Sequence, residues 1–185
     1  MSGLARISLS ASGQDANGKG RVMRPATLDF EASGFGVDSY PIEVGVALPD
    51  GRKYCSLIAP APGWTHWDLR AQRLHGITPA ILAAHGRPVA TVARELNDLV
   101  GGGTVYSDGW VVDNPWFLRL FHAAALEPCF RLSALEMILD ETQLASWDAT
   151  KQAVLAELGA GRHRASFDAY VVQETWCRSR RPRAA

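Results

Sequence analysis

Two carboxylates, Asp29 and Glu31, stand two residues apart in a segment that is otherwise apolar. Residues 26–31 have the composition and alternation of a short β-strand, in which residues i and i+2 project from the same face. Two like charges held a few ångströms apart repel each other, which is unfavourable unless cations or protons lie between them. The pair therefore indicates either a divalent-metal site or an edge strand whose two carboxylates are solvated.

Two further carboxylates, Asp108 and Asp113, follow a second predicted strand, residues 104–107. Binding and catalytic residues collect where strands end in folds that combine sheets and helices. Asp113 is equally suited to cap a helix that Pro115 would open, and Asp108 is a common turn residue. Each of the two therefore has both a structural and a chemical interpretation.

A third acidic position, Asp168, follows His163 near the C-terminus. The histidine lies in a predicted loop, and the aspartate lies in the first turn of a predicted helix at 166–178. Such a carboxylate can complete a metal shell while a histidine that titrates near neutral pH removes a proton from water. A first-turn aspartate favoured by the helix dipole, beside a surface histidine, explains the same residues without chemistry.

The composition is that of one globular domain with a substantial core. The chain has 185 residues, 47% of them hydrophobic, with 19 basic and 19 acidic side chains. No stretch approaches the roughly 18 apolar residues of a membrane span, and the N-terminus lacks a secretory pattern, so we predict a cytoplasmic protein without membrane association. The three cysteines, an odd number without a Cys-x-x-Cys pair, argue against a disulfide framework and a structural zinc site.

The charge is unevenly distributed along the chain. Four arginines fall in the last eight residues, so residues 1–177 carry an excess of four acidic groups. This excess of negative charge argues against long-range electrostatic attraction of a long polyanion to the protein. Cations held by some of the carboxylates would reverse the local field and permit such attraction. The arginines themselves suit either phosphate contacts or a solubilising end.

The spacing of apolar residues predicts where the positioning elements lie. We predict strands at 26–31, 42–48 and 53–58 in an antiparallel meander, followed by helices at 68–74, 78–86 and 88–100. A strand at 104–107, a helix at 113–126, a short strand at 130–132 and a capping box at 133–136 come next. This order implies a mixed sheet with helices on its faces. Residues 1–22 are predicted to be a flexible leader, 23–178 a single domain and 179–185 a basic tail.

In their order along the chain, these segments resemble the motifs of a known enzyme family. Residues 28–34 (LDFEASG) and 40–45 (YPIEVG) are followed by 74–78 (LHGIT), by Asp113 with the sequence WFL at 116–118, and by His163 with Asp168. The set resembles the DEDDh exonucleases of the ribonuclease H-like superfamily, which include proofreading exonuclease subunits, oligoribonuclease and RNase T. The resemblance spans about residues 25–177.

The resemblance implies a three-layer α/β/α fold with a mixed, roughly five-stranded sheet, and a 3'-5' exonuclease activity. The enzyme would hydrolyse single-stranded DNA or RNA from its 3' end and release nucleoside 5'-monophosphates. Two Mg²⁺ or Mn²⁺ ions are implied, bridged by Asp29 and completed by Glu31, Asp168 and Asp113. His163 would be the general base.

One feature departs from the family pattern, and another distinguishes between two classes of the family. The usual Asn and Phe before the second-motif aspartate are here Asp108 and Val112, with one extra residue of spacing. We assign the motif to Asp113 because the WFL sequence that follows matches the family's next helix. A sister class has tyrosine in place of the histidine, four residues before the last aspartate. Here that position is Arg164, which favours the histidine class.

The family positions also predict the substrate contacts. The backbone of Ala32, Ser33, Gly34 and Phe35 would meet the terminal nucleotide, with the Phe35 ring packed beside the last bases. His75 would lie near the strand entering the site. Aromatic stacking accepts any base. Three tryptophans in predicted loops either extend this stacking surface or are structural, and they are Trp64, Trp67 and Trp110.

Three alternatives remain open from the sequence. One is an exoribonuclease specialised for short RNA oligomers, for which an acidic body with few phosphate contacts suffices. A second is a non-catalytic module that binds nucleic acid with the same fold. A third is a carboxylate-rich domain with no role on nucleic acid. Homodimers are common in the family that the chain resembles, and a homodimer is compatible with each reading.

Overall fold

A mixed five-stranded sheet forms the centre of the computed structural model, which describes residues 23–159 and 163–180. The spatial order of the strands is β3-β2-β1-β4-β5, with β1, β2 and β3 antiparallel and with β4 and β5 parallel to β1. The predicted meander and the mixed sheet are therefore confirmed. The strands are β1 (Ala26–Ala32), β2 (Pro41–Ala47), β3 (Lys53–Leu57), β4 (Thr104–Ser107) and β5 (Arg131–Ala134).

Six α-helices surround the sheet in the described part of the chain: α1 (Leu69–His75), α2 (Pro79–His85), α3 (Val89–Val100), α4 (Trp110–Ala123), α5 (Glu141–Leu158) and α6 (Ala165–Ser179). Side-chain caps fix the starts of several helices. Asp68 accepts a hydrogen bond from the Arg70 N–H before α1, and Thr78 accepts one from the Ile81 N–H before α2. No helix among residues 23–159 and 163–180 combines the length and apolar character needed to cross a membrane.

Strand β1 divides its side chains between the two faces of the sheet. Leu28 and Phe30 pack into the main core, against apolar residues of α3 and α4. Thr27 lies on the opposite face, where its hydroxyl donates a hydrogen bond of 2.7 Å to the Ala169 carbonyl of α6. Because side chains alternate along a strand, Asp29 and Glu31 share the face of Thr27 and lie under α6. The sheet is thus covered on both sides, and α5 packs on α6 in the outer part of the second helical layer.

Strand β1 is central, so the edge-strand interpretation of Asp29 and Glu31 is wrong. Its neighbours are β2 on one side and β4 on the other. Asp29 lies opposite Gly45 and Glu31 lies opposite Glu43 in the ladder with β2. Two carboxylates on a central strand lie in the interior of the fold, which is the costly arrangement that favours bound cations.

Helix α6 approaches the sheet closely because position 45 is a glycine. A Cβ atom at Gly45 would overlap the backbone between Ala165 and Ser166. The first turn of α6 therefore rests directly on β2, beside the residues of β1 that carry the acidic pair. This contact brings Asp168, one turn into α6, to the same place.

Two local predictions are wrong. Helix α4 begins at Trp110, so Asp113 lies in its first turn and is not the N-cap, while Pro115 lies inside the helix. Proline lacks an N–H, so it leaves the carbonyl of Val111 without its intrahelical partner. Val111 is 79% exposed, which allows water to hydrate that carbonyl and explains why the helix tolerates the proline.

The predicted capping box at 133–136 is also wrong. Ser133 belongs to β5, where it pairs with Tyr106 of β4. A short 3-10 helix, Leu135–Ile138, follows directly. The capping box lies seven residues later than predicted, with Asp140 and Gln143 at the start of α5. Strand pairing with β4 decides this segment, and the local sequence gives no sign of it.

The predicted leader, residues 1–22, lies outside the described residues, as do residues 181–185 of the predicted basic tail. Two of the four C-terminal arginines, Arg178 and Arg180, lie at the end of helix α6. Arg178 forms ion pairs with Glu157 and Glu174, and the Arg180 guanidinium lies 4.6 Å from the centre of the Trp176 ring. Both side chains therefore have structural contacts.

Candidate active site

Three carboxylates from two elements meet under the first turn of α6. Asp29 and Glu31 come from β1 and Asp168 comes from α6, and one oxygen from each lies within 4.8 Å of the other two. All three are half-buried and line a cavity of about 670 Å³. The structure thus brings together two of the segments that the sequence analysis singled out, across more than 130 residues of chain.

A fourth carboxylate, Asp113, reaches the same cavity from α4. Its side chain is only 2% exposed. One oxygen accepts a hydrogen bond of 3.3 Å from the N–H of Phe30, which lies between the two acids of β1, and the other accepts one from the Ser107 hydroxyl. These two bonds hold Asp113 against β1 and β4, beside Asp29.

Asp108, the alternative to Asp113, has a different environment. Its carboxylate forms an ion pair of 2.5 Å with the ammonium group of Lys151 on α5. Both residues line the cavity. Lys151 is a site residue that sequence reasoning missed, because it lies in the middle of a polar helix with no neighbouring motif to single it out.

His163 lies at the mouth of the cavity, two residues before α6 begins. Its side chain is 65% exposed, and its Nδ1 lies 3.8 Å from a carboxylate oxygen of Asp168. That distance is too long for a hydrogen bond. The imidazole is therefore accessible from solvent and adjacent to the acidic cluster.

Burial and mutual repulsion raise the pKa of every carboxyl group in the cluster. Burial raises the pKa of Asp29 well above its ordinary value, and repulsion from Asp113 and Glu31 adds to the effect. Burial together with repulsion from Asp168 raises the pKa of Glu31 to about 8. Burial raises the pKa of Asp113 to about 7, although the hydrogen bond from Ser107 opposes it. Burial also raises the pKa of Asp168. Near neutral pH the four groups cannot all be ionised unless a cation neutralises them.

The donor atoms of this cluster fit a hard divalent cation. All four side chains offer carboxylate oxygens, which are the ligands that Mg²⁺ and Mn²⁺ prefer, whereas softer metals favour nitrogen and sulfur. A bound dication would also supply the positive charge that the buried carboxylates lack, and would thus lower the pKa values that burial and repulsion raise. The residues therefore fit the metal ions that the family resemblance implies.

We expect the metal-free protein to lose stability as the pH rises from 5 to 8. A carboxyl group whose pKa is higher in the folded than in the unfolded chain stabilises the fold while it is protonated. That contribution is complete below the unfolded value near 4 and is lost as the pH passes about 7 for Asp113 and about 8 for Glu31.

Thermal unfolding at pH 5 to 8.5 checks this, in EDTA and in Mn²⁺. The midpoint in EDTA should fall with rising pH, and Mn²⁺ should raise it more at pH 8 than at pH 5, because the ligands bind metal when deprotonated. K⁺ at matched ionic strength is the control. A midpoint in EDTA that does not change with pH, or one that Mn²⁺ does not raise, would contradict the assignment of a metal site.

A second cavity, of about 190 Å³, adjoins the first along Phe30, Glu31 and Trp116. Four of the predicted substrate residues line it: Ala32, Gly34, Phe35 and His75. Phe35 lies at the rim of this cavity and is 60% exposed. The fifth, Ser33, is buried, and its hydroxyl accepts a hydrogen bond from the Tyr40 N–H, so its side chain stabilises the turn and does not line the cavity.

Gly34 is required by close packing. A Cβ atom there would lie 2.5 Å from Cε1 of His66 and 2.7 Å from Cβ of Asp68, closer than van der Waals contact permits. His66 also lies 3.1 Å from the Ser33 hydroxyl through its Nδ1. The turn after β1 is therefore held against the segment that leads into α1, which forms one wall of the second cavity.

His75 presents a buried polar atom that forms no full hydrogen bond within the described ranges. The Ile77 N–H donates to its Nδ1 at 3.0 Å, so the proton of the neutral ring lies on Nε2. Burial lowers the pKa of His75, which keeps the ring neutral at pH 7. Within residues 23–159 and 163–180 no acceptor meets the geometry of a full hydrogen bond with the buried Nε2, although the Ala32 backbone lies close enough to the ring to offset part of the effect of burial on its pKa. His75 therefore contacts the end of β1 as well as lining the cavity wall.

The predicted loop tryptophans have mainly structural roles. Trp64 stacks on Tyr40 with ring centres 5.0 Å apart, and Trp67 donates a hydrogen bond of 2.8 Å to the side chain of Gln72. Trp110 is partly exposed and lies outside both cavity walls. The tryptophan that lines both cavities is Trp116, whose position three residues after Asp113 places it on the same helix face.

No protein-family model and no curated protein sequence matches the chain. Its fold does match solved structures of exonuclease I. The E. coli enzyme in complex with a dA16 oligonucleotide superposes over 80% of this chain with a TM-score of 0.60 and 15% sequence identity. The enzyme from Methylocaldum szegediense superposes over 83% of it with a TM-score of 0.63 and 15% identity.

The chain therefore shares the ribonuclease H-like fold of these exonuclease I structures. The predicted fold class and the predicted resemblance are thereby confirmed at the level of the fold. The chain spans 39% of the length of each of these two exonuclease I chains. In this chain the acidic cluster lies between β1 and α6. Asp113 reaches the cluster from α4, which packs on the other face of the sheet.

Proposed function

We propose that the chain is a metal-dependent 3'-5' exonuclease that releases nucleoside 5'-monophosphates from the 3' end of single-stranded DNA or RNA. One observation carries the proposal: in a ribonuclease H-like exonuclease fold, Asp29, Glu31 and Asp168 converge within 4.8 Å, and Asp113 joins them in one cavity. Carboxylates on a central strand are unfavourable for stability alone. A role in holding metal ions accounts for them.

The four carboxylates would hold two Mg²⁺ or Mn²⁺ ions. By family position Asp29 would contribute to both, Glu31 and Asp168 to one, and Asp113 to the other. Such ions supply positive charge and Lewis acidity at a reacting phosphate. Among the structural neighbours is a zinc-bound form of the E. coli exonuclease I complex with single-stranded DNA, which supports divalent-metal binding in this fold.

His163 would act as the general base. The oxygen of an attacking water would form a bond to phosphorus while the bond from phosphorus to the 3' oxygen breaks, and the proton of the water would pass to the imidazole. The 3' oxygen of the shortened strand would take up a proton from solvent. The exposed position of His163 beside Asp168 suits this role, because the ring can reach water in the cavity and the carboxylate stabilises the imidazolium that forms.

The second cavity would receive the terminal nucleotide. The rings of Phe35 and Trp116 provide surfaces on which any base can stack. His75 would form part of the wall beside the nucleotide. Single-stranded DNA is the first substrate to test, because the E. coli exonuclease I neighbours include a complex with the dA16 oligonucleotide. Short RNA oligomers are the alternative, because a chain whose body is acidic needs to neutralise few phosphates to bind them.

Digestion of 5'-labelled single-stranded DNA and RNA oligomers, resolved on a gel, tests the proposal. Each substrate is incubated with Mn²⁺, Mg²⁺ or EDTA. We expect a ladder that shortens from the 3' end and depends on the metal, and the faster substrate identifies the preferred sugar. No shortening of either substrate with any metal would refute the exonuclease. Retardation on a native gel would then identify a non-catalytic nucleic-acid binding module.

A further inference from the structure

A fifth carboxylate, Glu43, lies beside the acidic cluster and has a different set of partners. Its side chain on β2 is fully buried, and Glu43 lies directly opposite Glu31 in the ladder between β1 and β2. Glu43 belongs to the strand motif YPIEVG, to which the family resemblance gives no catalytic or binding role. A buried charge of this kind requires a partner and hydrogen bonds to both oxygens.

The partner of Glu43 is Arg164, the residue between His163 and helix α6. The guanidinium Nε lies 3.0 Å from each carboxylate oxygen, and the Nη2 atom also donates to Oε1. The backbone N–H of Ala165 donates to Oε2 at 3.0 Å. One carboxylate on the sheet therefore binds the side chain of residue 164 and the backbone of residue 165.

We infer that Glu43 and Arg164 form an anchor that positions His163 for its role as general base. The anchor fixes the two residues that follow His163, and Gly45 on the same face of β2 lets the backbone of α6 lie close enough for these bonds. The inference deepens the proposed function and rests on it. Glu43 and Arg164 are positioning residues, because they act through His163 and not on the substrate.

The anchor also explains why Glu43 is not a further metal ligand. Glu43 is absent from the group of carboxylates whose oxygens converge on one point in the described chain. Its oxygens are occupied by donors from Arg164 and Ala165, and the Cys55 thiol lies 3.4 Å from Oε1. The positive charge of Arg164 offsets the repulsion between Glu43 and Glu31 across the two strands. This leaves Glu31 free to face the cavity.

The test removes both charges at once. Arg164→Met alone would leave a buried carboxylate unpaired and endanger the fold. The double variant E43M/R164M keeps similar side-chain volumes and leaves no unpaired charge, and E43Q is the second variant if the double variant does not fold. R87M/E95Q is the matched control, because it removes the same two charge types from an exposed ion pair that lines neither site cavity.

Steady-state kinetics on the preferred oligomer should separate positioning from binding. A displacement of a reacting group by about 1 Å costs up to about 10²-fold in rate. We expect E43M/R164M to lower kcat by about 10–100-fold, with KM and Mn²⁺ affinity unchanged. In an H163A background the same double change should alter kcat by less than about 2-fold, because the group that it positions is already absent. R87M/E95Q should have no effect in either background.

Equal losses of kcat in the two backgrounds, or a weakened Mn²⁺ affinity, would overturn the inference, since the pair would then act on the metal ligands or on the fold. Backbone hydrogen exchange provides a readout that does not need activity. Residues 163–168 should exchange faster in E43M/R164M, while β1 and β4 should stay protected. Unchanged exchange at 163–168 overturns the anchor even if the wild-type protein proves inactive, an outcome that by itself refutes only the proposed function.

Discussion

Replacing Asp29 with asparagine is expected to abolish hydrolysis while leaving the fold intact. Asp29 interacts electrostatically with the other carboxylates of the cluster, since Asp113, Glu31 and Asp168 each contribute to its raised pKa. Asparagine has nearly the same shape but cannot supply the negative charge that two dications need. We expect turnover to fall by at least about 10³-fold, which corresponds to about 4 kcal/mol of transition-state stabilisation.

The same substitution should stabilise the metal-free protein. At pH 8 the wild-type protein holds Asp29 and Glu31 close together inside the fold, and removing one acid relieves both burial and repulsion. We expect the free energy of unfolding in EDTA to rise by about 1–2 kcal/mol, a shift of roughly 2–8 °C in the thermal midpoint. At pH 5 the gain should be smaller, because Glu31 and Asp113 are then protonated in the wild-type protein and no longer repel Asp29.

Asp98→Asn is the matched control, since Asp98 is an exposed aspartate of α3 that lines neither site cavity. It should leave the digestion ladder and the thermal midpoint unchanged. Metal-dependent shortening that survives in Asp29→Asn at wild-type rate would refute the assignment of the site. Loss of activity together with a large fall in the thermal midpoint would show that Asp29 is needed for folding instead.

Replacing His163 with alanine is expected to reduce turnover by about 10²–10⁴-fold, the range that a positioned general base contributes. Metal binding should persist, because the three carboxylates that converge within 4.8 Å do not include the histidine. Both variants should lose turnover, but only Asp29→Asn should lose metal binding as well. The pair of variants therefore separates the base from the ligands.

Titration of Mn²⁺ by calorimetry and the pH dependence of kcat check the His163 prediction. In the wild-type protein kcat should depend on pH, and the part of that dependence that comes from the general base should be absent in His163→Ala. His85→Ala is the control, since His85 is exposed on α2 and lines neither cavity. A wild-type pH profile in His163→Ala, or the loss of its metal transition, would contradict the role of base.

Local signals were sufficient for most of the sheet. Strand β4 matches the predicted segment 104–107, and β1 to β3 agree within one or two residues, because alternation and turn residues act over a few positions. The starts of α1 and α2 followed from Asp68 and Thr78 for the same reason. Elements that depend on distant partners were predicted less well. Ser133 has the local pattern of a helix cap, yet pairing with β4 places it in a strand.

The sequence by itself determined the fold class and which acids are candidates, since their types, order and spacing are local properties. Only the tertiary structure decided that β1 is central, that Asp108 pairs with Lys151 while Asp113 is buried beside Asp29, and that Glu43 binds Arg164. These contacts join residues 43 to 121 positions apart, through the close approach of α6 to Gly45 and of α5 to the cavity. A single sequence carries no local signal for such distances, because they depend on how the layers pack.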